Sequence, residues 1–158
     1  MGYTKDIFFM KTAQYTTNSA EKLITYAGVF AHTELRQWRL ITCVGPLGAG
    51  KTTFIQGLAK GLGIRKDVLS PTFTIINEHK IPQTKKTLVH CDLYRLTKER
   101  DLTPLHVFEY LENPNMIVCV EWADRFPQLW KTYPRIALEF SFRNKNERRI
   151  KIRYFTGR

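Results

Sequence analysis

Hydrophobic and polar residues follow two different spacings along this chain, and each change of spacing predicts a new element. Residues 5–16 have the pattern of an extended segment. Asn18, with Glu21 three residues later, is typical of a helix start, and the apolar residues that follow at helical spacing predict a helix over 19–32. The unbroken apolar run Leu40–Val44 is typical of a strand buried in a parallel sheet.

The rest of the chain continues with the same two spacings. A second helix presents an apolar face formed by Phe54, Ile55, Leu58, Ala59 and Leu62. Gly63 suits the position just after its end. Residues 136–142 and 150–154 alternate around a turn-like segment, 143–146, and therefore predict a β-hairpin. The other predicted elements are strands at 73–76, 87–91 and 116–120 and a third helix near 98–112.

This order of elements predicts an α/β fold with a mixed sheet, because buried strands alternate with helices early and the chain ends antiparallel. The 158 residues, 43% of them hydrophobic, fit a single domain over 1–158. No apolar run reaches the length of about 18 residues typical of a membrane span, so we expect a cytoplasmic protein without a signal peptide. Cys43, Cys91 and Cys119 lie among apolar residues and form no Cys-x-x-Cys pair, so we expect buried, reduced thiols and no metal bound to them.

Positive charge is concentrated near the end of the chain. The formal net charge is +11, and the segment 131–158 holds nine basic and two acidic residues. In the predicted hairpin, Arg149, Lys151 and Arg153 alternate with apolar residues, so they would line one face, with Arg143, Lys145 and Arg148 near the turn. The interpretation is either a docking surface on an edge strand, for tRNA phosphates or an acidic protein, or a solvated face.

The strongest chemical signal is the sequence Gly-Pro-Leu-Gly-Ala-Gly-Lys-Thr at 45–52, a complete Walker A motif between a predicted strand and a predicted helix. Glycines let the backbone N–H groups curl around phosphate, Lys51 reaches the β and γ phosphates, and the Thr52 hydroxyl suits Mg²⁺. The motif therefore predicts a P-loop NTPase, with parallel nucleotide-binding strands in its mixed sheet. The predicted nucleotide contacts are Gly45, Gly48, Ala49, Gly50, Lys51, Thr52 and Thr53.

Two carboxylates are candidates for the metal and for catalysis, because each follows an apolar strand. Asp92 follows the predicted strand 87–91, and Glu121 follows 116–120. Ligands bind at the carboxyl ends of parallel strands, so either side chain could lie beside the nucleotide, and spacing alone does not decide between them.

The base and the reaction are less directly encoded. A GTPase would need an Asn-Lys-x-Asp motif to read the base and an Asp-x-x-Gly switch motif. The nearest match to the first motif, at 144–147, ends in Glu within a hairpin turn, and the second motif is absent. The sequence therefore favours ATP over GTP. A kinase of this fold usually carries an arginine-rich lid, whereas the segment 92–100 has only Arg95 and Arg100. A nucleotide-gated binding module with negligible hydrolysis and a small-molecule phosphotransferase remain as alternatives to an ATPase.

Four blocks together resemble one family. They are 45–54 with the Walker A motif, Ser-Pro-Thr-Phe-Thr at 70–74, His-Cys-Asp-Leu-Tyr-Arg-Leu at 90–96, and Val-Glu-Trp at 120–122. In order and spacing they are similar to the bacterial TsaE (YjeE) ATPases across about residues 15–155. The resemblance implies parallel strands flanked by antiparallel ones, and ATP hydrolysis coupled to a TsaB–TsaD-type complex that transfers threonylcarbamoyl to the adenosine beside the anticodon of tRNA.

The resemblance also implies roles for matching positions. Lys51 and Thr52 would bind phosphate and Mg²⁺, Glu121 would hold Mg²⁺ or position water, and Asp92 would support catalysis. The predicted catalytic residues are thus Lys51, Asp92 and Glu121, and the predicted metal ligands Thr52 and Glu121. The segment 70–74 would form a nucleotide-sensing loop. The chain would be a monomer by itself and would contact tRNA weakly or indirectly. In one departure, His106 stands where the family often has Gly, and we interpret it as a surface histidine.

Overall fold

A seven-stranded mixed sheet forms the centre of the fold in the computed structural model, which describes residues 7–157. Its spatial order is β1-β7-β6-β2-β5-β4-β3. The four central strands β6, β2, β5 and β4 are parallel to one another. On one side β7 pairs antiparallel with β6 and β1 pairs antiparallel with β7, and on the other side β3 pairs antiparallel with β4. This arrangement confirms the predicted mixed sheet. The strands are β1 (Ile7–Thr17), β2 (Leu40–Val44), β3 (Ile76–Lys80), β4 (Thr87–Asp92), β5 (Met116–Glu121), β6 (Arg135–Phe142) and β7 (Arg148–Gly157).

The first two helices form where their sequence signals predict, although the first spans Ala20–Glu34 rather than 19–32 and its N-cap is Ser19, one residue after Asn18. The side chain of Ser19 accepts a hydrogen bond from the backbone N–H of Lys22 and caps the first helix. Gly63, with a φ of 81°, follows the end of the second, as its sequence position predicts. The α-helices are α1 (Ala20–Glu34), α2 (Lys51–Gly61), α3 (Val107–Glu112) and α4 (Pro127–Trp130), and two 3₁₀ segments span Glu99–Leu105 and Ala123–Arg125.

Two hydrophobic cores lie on opposite faces of the sheet. On one face, Phe30 of α1 and Phe54 of α2 pack edge to face, and Phe54 also meets Phe140 of β6. On the other face, β4 and β5 pack against the first 3₁₀ segment, α3 and Trp130 of α4. The strands β2, β4 and β5 are covered on both faces, which explains why their sequences are mostly apolar rather than alternating, whereas β6 alternates between buried and more exposed residues.

The structure corrects two predicted elements. The predicted strand over 73–76 is wrong: Thr72, Phe73 and Thr74 form a turn, Ile75 has a φ of 68°, and β3 begins only at Ile76. The predicted third helix over 98–112 is interrupted at His106, which has a φ of 53°. This left-handed conformation has a low free-energy cost for glycine and a higher one for other residues. The helix is therefore interrupted at a position that suits Gly, although a histidine occupies it. The His106 ring is exposed and lies 2.7 Å from Glu109 Oε1.

The C-terminal hairpin forms as predicted, but its second strand is not at the edge of the sheet. Ile150, Ile152 and Tyr154 are buried on the inner face, as their alternation predicts. However, β7 pairs with β6 on one side and with β1 on the other, so the edge strand is β1. The sequence-based placement of the basic residues on an edge was therefore wrong, because the pairing of β1 with β7 joins opposite ends of the described chain.

The three thiols are buried, as predicted. Cys43, Cys91 and Cys119 lie on β2, β4 and β5, and burial raises the pKa of each thiol, that of Cys91 to about 12. Such thiols stay protonated and react slowly. Within residues 7–157, no helix has the length and apolar character needed to cross a membrane.

Close contact between α1 and α2 generates a prediction about stability. A Cβ atom added at Gly57 would lie 2.6 Å from Ala27 Cβ and 2.7 Å from Ile24 O, whereas one added at Gly28 would meet its nearest neighbour, Gly57 O, at 3.7 Å. Both glycines lie inside helices, where Ala is favoured over Gly by about 1 kcal/mol. Gly57→Ala should nevertheless destabilise the fold by about 1–3 kcal/mol through overpacking.

The matched control is Gly28→Ala, for which we expect unchanged or increased stability because its Cβ has ordinary contact distances. Urea unfolding of both variants gives the measurement. Equal midpoints for the two would mean that α1 and α2 do not pack as closely as described.

Candidate nucleotide-binding site

The loop between β2 and α2 is built for a ligand that needs backbone N–H donors. Gly45 and Gly50 have φ values of 139° and 106°, which side-chain-bearing residues rarely adopt. A Cβ at Gly45 would lie 2.3 Å from Phe140 O, so the loop begins tightly against β6. No side chain caps the first turn of α2. Its orphan N–H groups and the positive end of the helix dipole are therefore left for an anion.

The side chain of Lys51 is folded back into this loop. The residue is 4% exposed, and its Nζ donates hydrogen bonds to Gly45 O at 2.6 Å and Pro46 O at 2.9 Å. The same Nζ lies 4.1 Å from the centroid of the Trp122 ring. Burial lowers the pKa of Lys51, while Glu121 acts in the opposite direction. Neutral carbonyls are weaker partners for a cation than a phosphate oxygen, so an incoming phosphate can replace them.

Glu121 is held at the end of β5 by two donors that share one oxygen. Its Oε1 accepts from Thr52 Oγ1 at 2.8 Å and lies 2.8 Å from His90 Nε2. Glu121 is 3% exposed and His90 is fully buried. His90 was not among the predicted site residues. Its position two residues before Asp92 could have indicated it, because alternate residues of a strand share a face.

Asp92 lies beside Glu121, since the parallel register of β4 and β5 pairs the two residues directly. Asp92 Oδ2 accepts from Ser70 Oγ at 2.9 Å and Thr72 Oγ1 at 2.8 Å, and its Oδ1 accepts from the backbone N–H of Tyr94. The segment 70–74 is thus tied to Asp92 by hydroxyls. Thr74 Oγ1 donates instead to Asn77, so it does not join this contact.

Aromatic side chains form the rim of the site. Trp122 has a φ of 58° and is only partly buried, with its ring against Lys51 rather than deep in a core. Tyr94 lies 4.9 Å from Trp122 between ring centroids. Phe73 is 82% exposed, and the Arg95 guanidinium lies 4.3 Å from its ring centroid. Tyr94 and Trp122 therefore line the site together with Lys51, whereas Phe73 and Arg95 lie outside its lining.

These parts surround a cavity of about 250 Å³. Gly45 and Ala49, two of the predicted nucleotide contacts, do not line it: Gly45 packs against β6, and the Ala49 side chain is buried. A larger cavity, of about 650 Å³, lies beside residues 63–69 and holds none of the predicted site residues. The predicted residues that line the smaller cavity are Gly48, Gly50, Lys51, Thr52, Thr53, Asp92 and Glu121.

A glycine-rich loop joins a central parallel strand to a helix, with a buried lysine at the helix start and a threonine hydroxyl on a carboxylate at the end of a neighbouring strand. Together these features define the class of P-loop NTPase folds. The crystal structure of YdiB from Bacillus subtilis is similar, with a TM-score of 0.70, 28% sequence identity and coverage of 93% of this chain and 87% of that one.

Sequence comparison identifies the family. A model of the family described as "Threonylcarbamoyl adenosine biosynthesis protein TsaE" matches residues 11–150, so the chain belongs to the TsaE family. A TsaE protein of Rickettsia bellii is 31% identical over 90% of this chain and 96% of its own length. TsaE proteins of Nostoc and Synechocystis are 40% and 48% identical, and the matches span 70% and 57% of those proteins and 72% and 57% of this chain.

Proposed function

We propose that the protein hydrolyses ATP with Mg²⁺ and, as an accessory to a TsaB–TsaD-type complex, supports threonylcarbamoyl transfer to tRNA in the cytoplasm. Membership of the TsaE family supports the place in tRNA modification. The observation that carries the ATPase assignment is the 2.8 Å hydrogen bond from Thr52 to Glu121 beside the buried Lys51. It joins the hydroxyl of the phosphate loop to a carboxylate, as a metal-dependent nucleotide site requires.

The residues present fit a triphosphate with Mg²⁺. The uncapped first turn of α2 offers N–H donors, and Lys51 offers a positive charge whose present partners are neutral carbonyls. Thr52 would hold the cation through its oxygen while its hydroxyl still donates a hydrogen bond to Glu121, which would be a direct or water-mediated ligand. Bound there, Mg²⁺ supplies Lewis-acid neutralisation of charge on the phosphate oxygens. Within residues 7–157, no three His, Cys, Asp or Glu side chains cluster as a metal site, so phosphate and water would complete the coordination.

The two carboxylates then have separate tasks. Glu121 is engaged with Thr52 and so serves the cation. Asp92 is directly opposite it and holds only hydroxyl and backbone donors, which a water molecule can replace, so Asp92 would orient the attacking water. Lys51 would neutralise charge on the β and γ phosphates, and Trp122 would cover the loop against solvent. Movement of the segment 70–74 away from Asp92 is required before water can take its place.

One observation favours the second candidate, a nucleotide-gated binding module. The Lys51 ammonium and the Asp92 carboxylate, the candidate for orienting water, already have hydrogen-bond partners. Carbonyls of its own loop accept from Lys51, and Ser70 and Thr72 donate to Asp92. A site with this resting state could bind ATP tightly and hydrolyse it only when a partner rearranges the segment 70–74. Phosphate release measured with and without the purified partner complex separates the two functions. Tight ATP binding without release in both cases would identify the binding module.

The first prediction for this site concerns the phosphate contacts. Lys51→Ala removes the cation, and Thr52→Ala removes the hydroxyl that bonds Glu121, so both variants should lose ATP hydrolysis while their circular dichroism matches the parent. Lys60→Ala, in the last turn of the same helix, is the matched control and should hydrolyse ATP normally. Retained hydrolysis in a folded Lys51→Ala protein would contradict the assignment.

The second prediction separates the carboxylates. Glu121→Gln keeps the shape of the side chain but removes its charge, so kcat should fall by about a hundredfold or more, with a smaller loss of ATP affinity. Asp92→Asn should lower kcat less severely. Glu112→Gln, an exposed position, serves as the control. If Asp92→Asn proves severe and Glu121→Gln mild, the two roles must be exchanged.

The third prediction tests the outer face of the C-terminal hairpin as a docking surface. Arg153 pairs with Glu139 at 2.5 Å, whereas Arg149 and Lys151 are exposed and form no ion pair among the described residues. The double variant Arg149→Glu/Lys151→Glu should therefore weaken binding to the TsaB–TsaD complex or tRNA at least tenfold, about 1.4 kcal/mol. ATP affinity should barely change, and wild-type binding should weaken with salt, since exposed charges are screened over about 8–10 Å.

Arg65→Glu/Lys66→Glu makes the same change of charge at exposed residues elsewhere and is the control. Equal loss of partner binding in both double variants would indicate a general effect of net charge. Unchanged binding in the hairpin variant would mean that this face is only solvated and that docking occurs elsewhere.

A further inference from the structure

A buried histidine contacts the carboxylate of the proposed metal site and has no other use in the fold. The His90 ring is fully buried on β4, and its Nε2 lies 2.8 Å from Glu121 Oε1. Its second nitrogen, Nδ1, has no hydrogen-bond partner among the described residues. A buried polar atom without a partner costs about 1–3 kcal/mol, so an apolar residue would pack here at lower cost. Packing alone therefore does not explain a histidine at this position.

The direction of the hydrogen bond follows from the chemistry of the acceptor. A carboxylate oxygen only accepts, so Nε2 carries the hydrogen and donates it to Glu121. The same oxygen accepts from Thr52, so one atom of Glu121 joins α2, β4 and β5. Its other oxygen, Oε2, accepts no hydrogen bond from the described residues, and Glu121 lines the cavity. Two donors on one oxygen fix the plane of the carboxylate and leave the other oxygen for a ligand.

The positive charge of Lys51 would draw the Glu121 carboxylate out of this orientation. Burial lowers the pKa of Lys51 while the charge of Glu121 acts to raise it, so the two charges attract each other, and the ammonium is held in the loop by the carbonyls of Gly45 and Pro46. With Thr52 as the sole donor, the carboxylate could turn about that single contact toward the ammonium. The ring of His90 opposes this rotation through its own contact with Oε1, and β4 holds the ring in place because its parallel register with β5 pairs His90 with Cys119.

We propose that His90 is a positioning residue, which holds Glu121 in the orientation that binds the divalent cation. The inference rests on the proposed function of the site. His90 does not touch nucleotide or metal; it acts through Glu121. Its loss should therefore weaken the response to Mg²⁺ and leave the metal-independent part of nucleotide binding unchanged.

Two amide substitutions test this without removing polarity from the core. In His90→Gln the side-chain nitrogen can reach the position of Nε2 and donate to Glu121, whereas in His90→Asn it stops near the position of Nδ1 and cannot. Binding of a fluorescent ADP analogue is measured while Mg²⁺ is raised, with thermal unfolding of each variant. His90→Gln should need less than threefold more Mg²⁺ than the parent for half-maximal binding, and His90→Asn at least tenfold more.

Leu88→Met, on the same strand and face, is the control for a change in core packing and should match the parent in Mg²⁺ response. Equal behaviour of His90→Gln and His90→Asn, or equal loss with Leu88→Met, would overturn the inference. The comparison is made at temperatures where all variants are folded, so a difference in stability alone does not decide it.

A second measurement asks whether His90 acts only through Glu121. In the Glu121→Gln background, adding His90→Asn should change the Mg²⁺ requirement by less than twofold, because the carboxylate it positions is already gone. Additive losses would overturn the inference and indicate a general structural role. A parent protein that binds nucleotide with no dependence on Mg²⁺ would instead contradict the proposed function itself.

Discussion

The parallel register between β4 and β5 is the constraint on which the site depends. It sets Asp92 directly opposite Glu121 and turns both side chains, with His90, toward the face covered by α2. A shift of one residue in either strand would turn that strand's carboxylate to the opposite face, away from Thr52. The register is fixed because both strands are buried on both faces, where Val89, Cys91, Val118 and Val120 fill one core and Leu88, Ile117 and Cys119 fill the other. The geometry of the candidate site and the packing of the core are thus set by the same pairing.

Sequence patterns predicted those parts of the molecule whose structure depends on residues close together in sequence. The phosphate loop, the start of α1 and the apolar strands β2, β4 and β5 are encoded by local spacing and cap chemistry, and each lies within one residue of its predicted bounds. The placement of β7 could not be predicted from alternation, since the strand that covers its other side comes from the opposite end of the described chain. The break at His106 left one trace in the sequence, a histidine where the family often has Gly, but the apolar spacing on both sides still predicted one continuous helix.

The site residues show the same division. Lys51 and Thr52 were predicted from a contiguous motif, and the two carboxylates from their position after apolar strands. Their partners were harder to infer: the hydroxyls that bond Asp92 come from a loop about twenty positions earlier in sequence, and His90, which shares a strand face with Asp92, contacts Glu121 on the neighbouring strand. Lys51 rests on carbonyls of its own loop that an incoming phosphate would have to replace, so part of the binding energy for phosphate would be spent on freeing it.

The pairing of β1 with β7 has a consequence for the order in which the protein can fold during synthesis. β1 is the first described element to leave the ribosome, and its strand partner is the last. Until β7 emerges, β1 has no neighbouring strand, and closing the sheet joins residues far apart in sequence, which is slow. During synthesis of the segment between them, β1 therefore remains without its sheet partner, and a chaperone that binds short apolar segments could bind there.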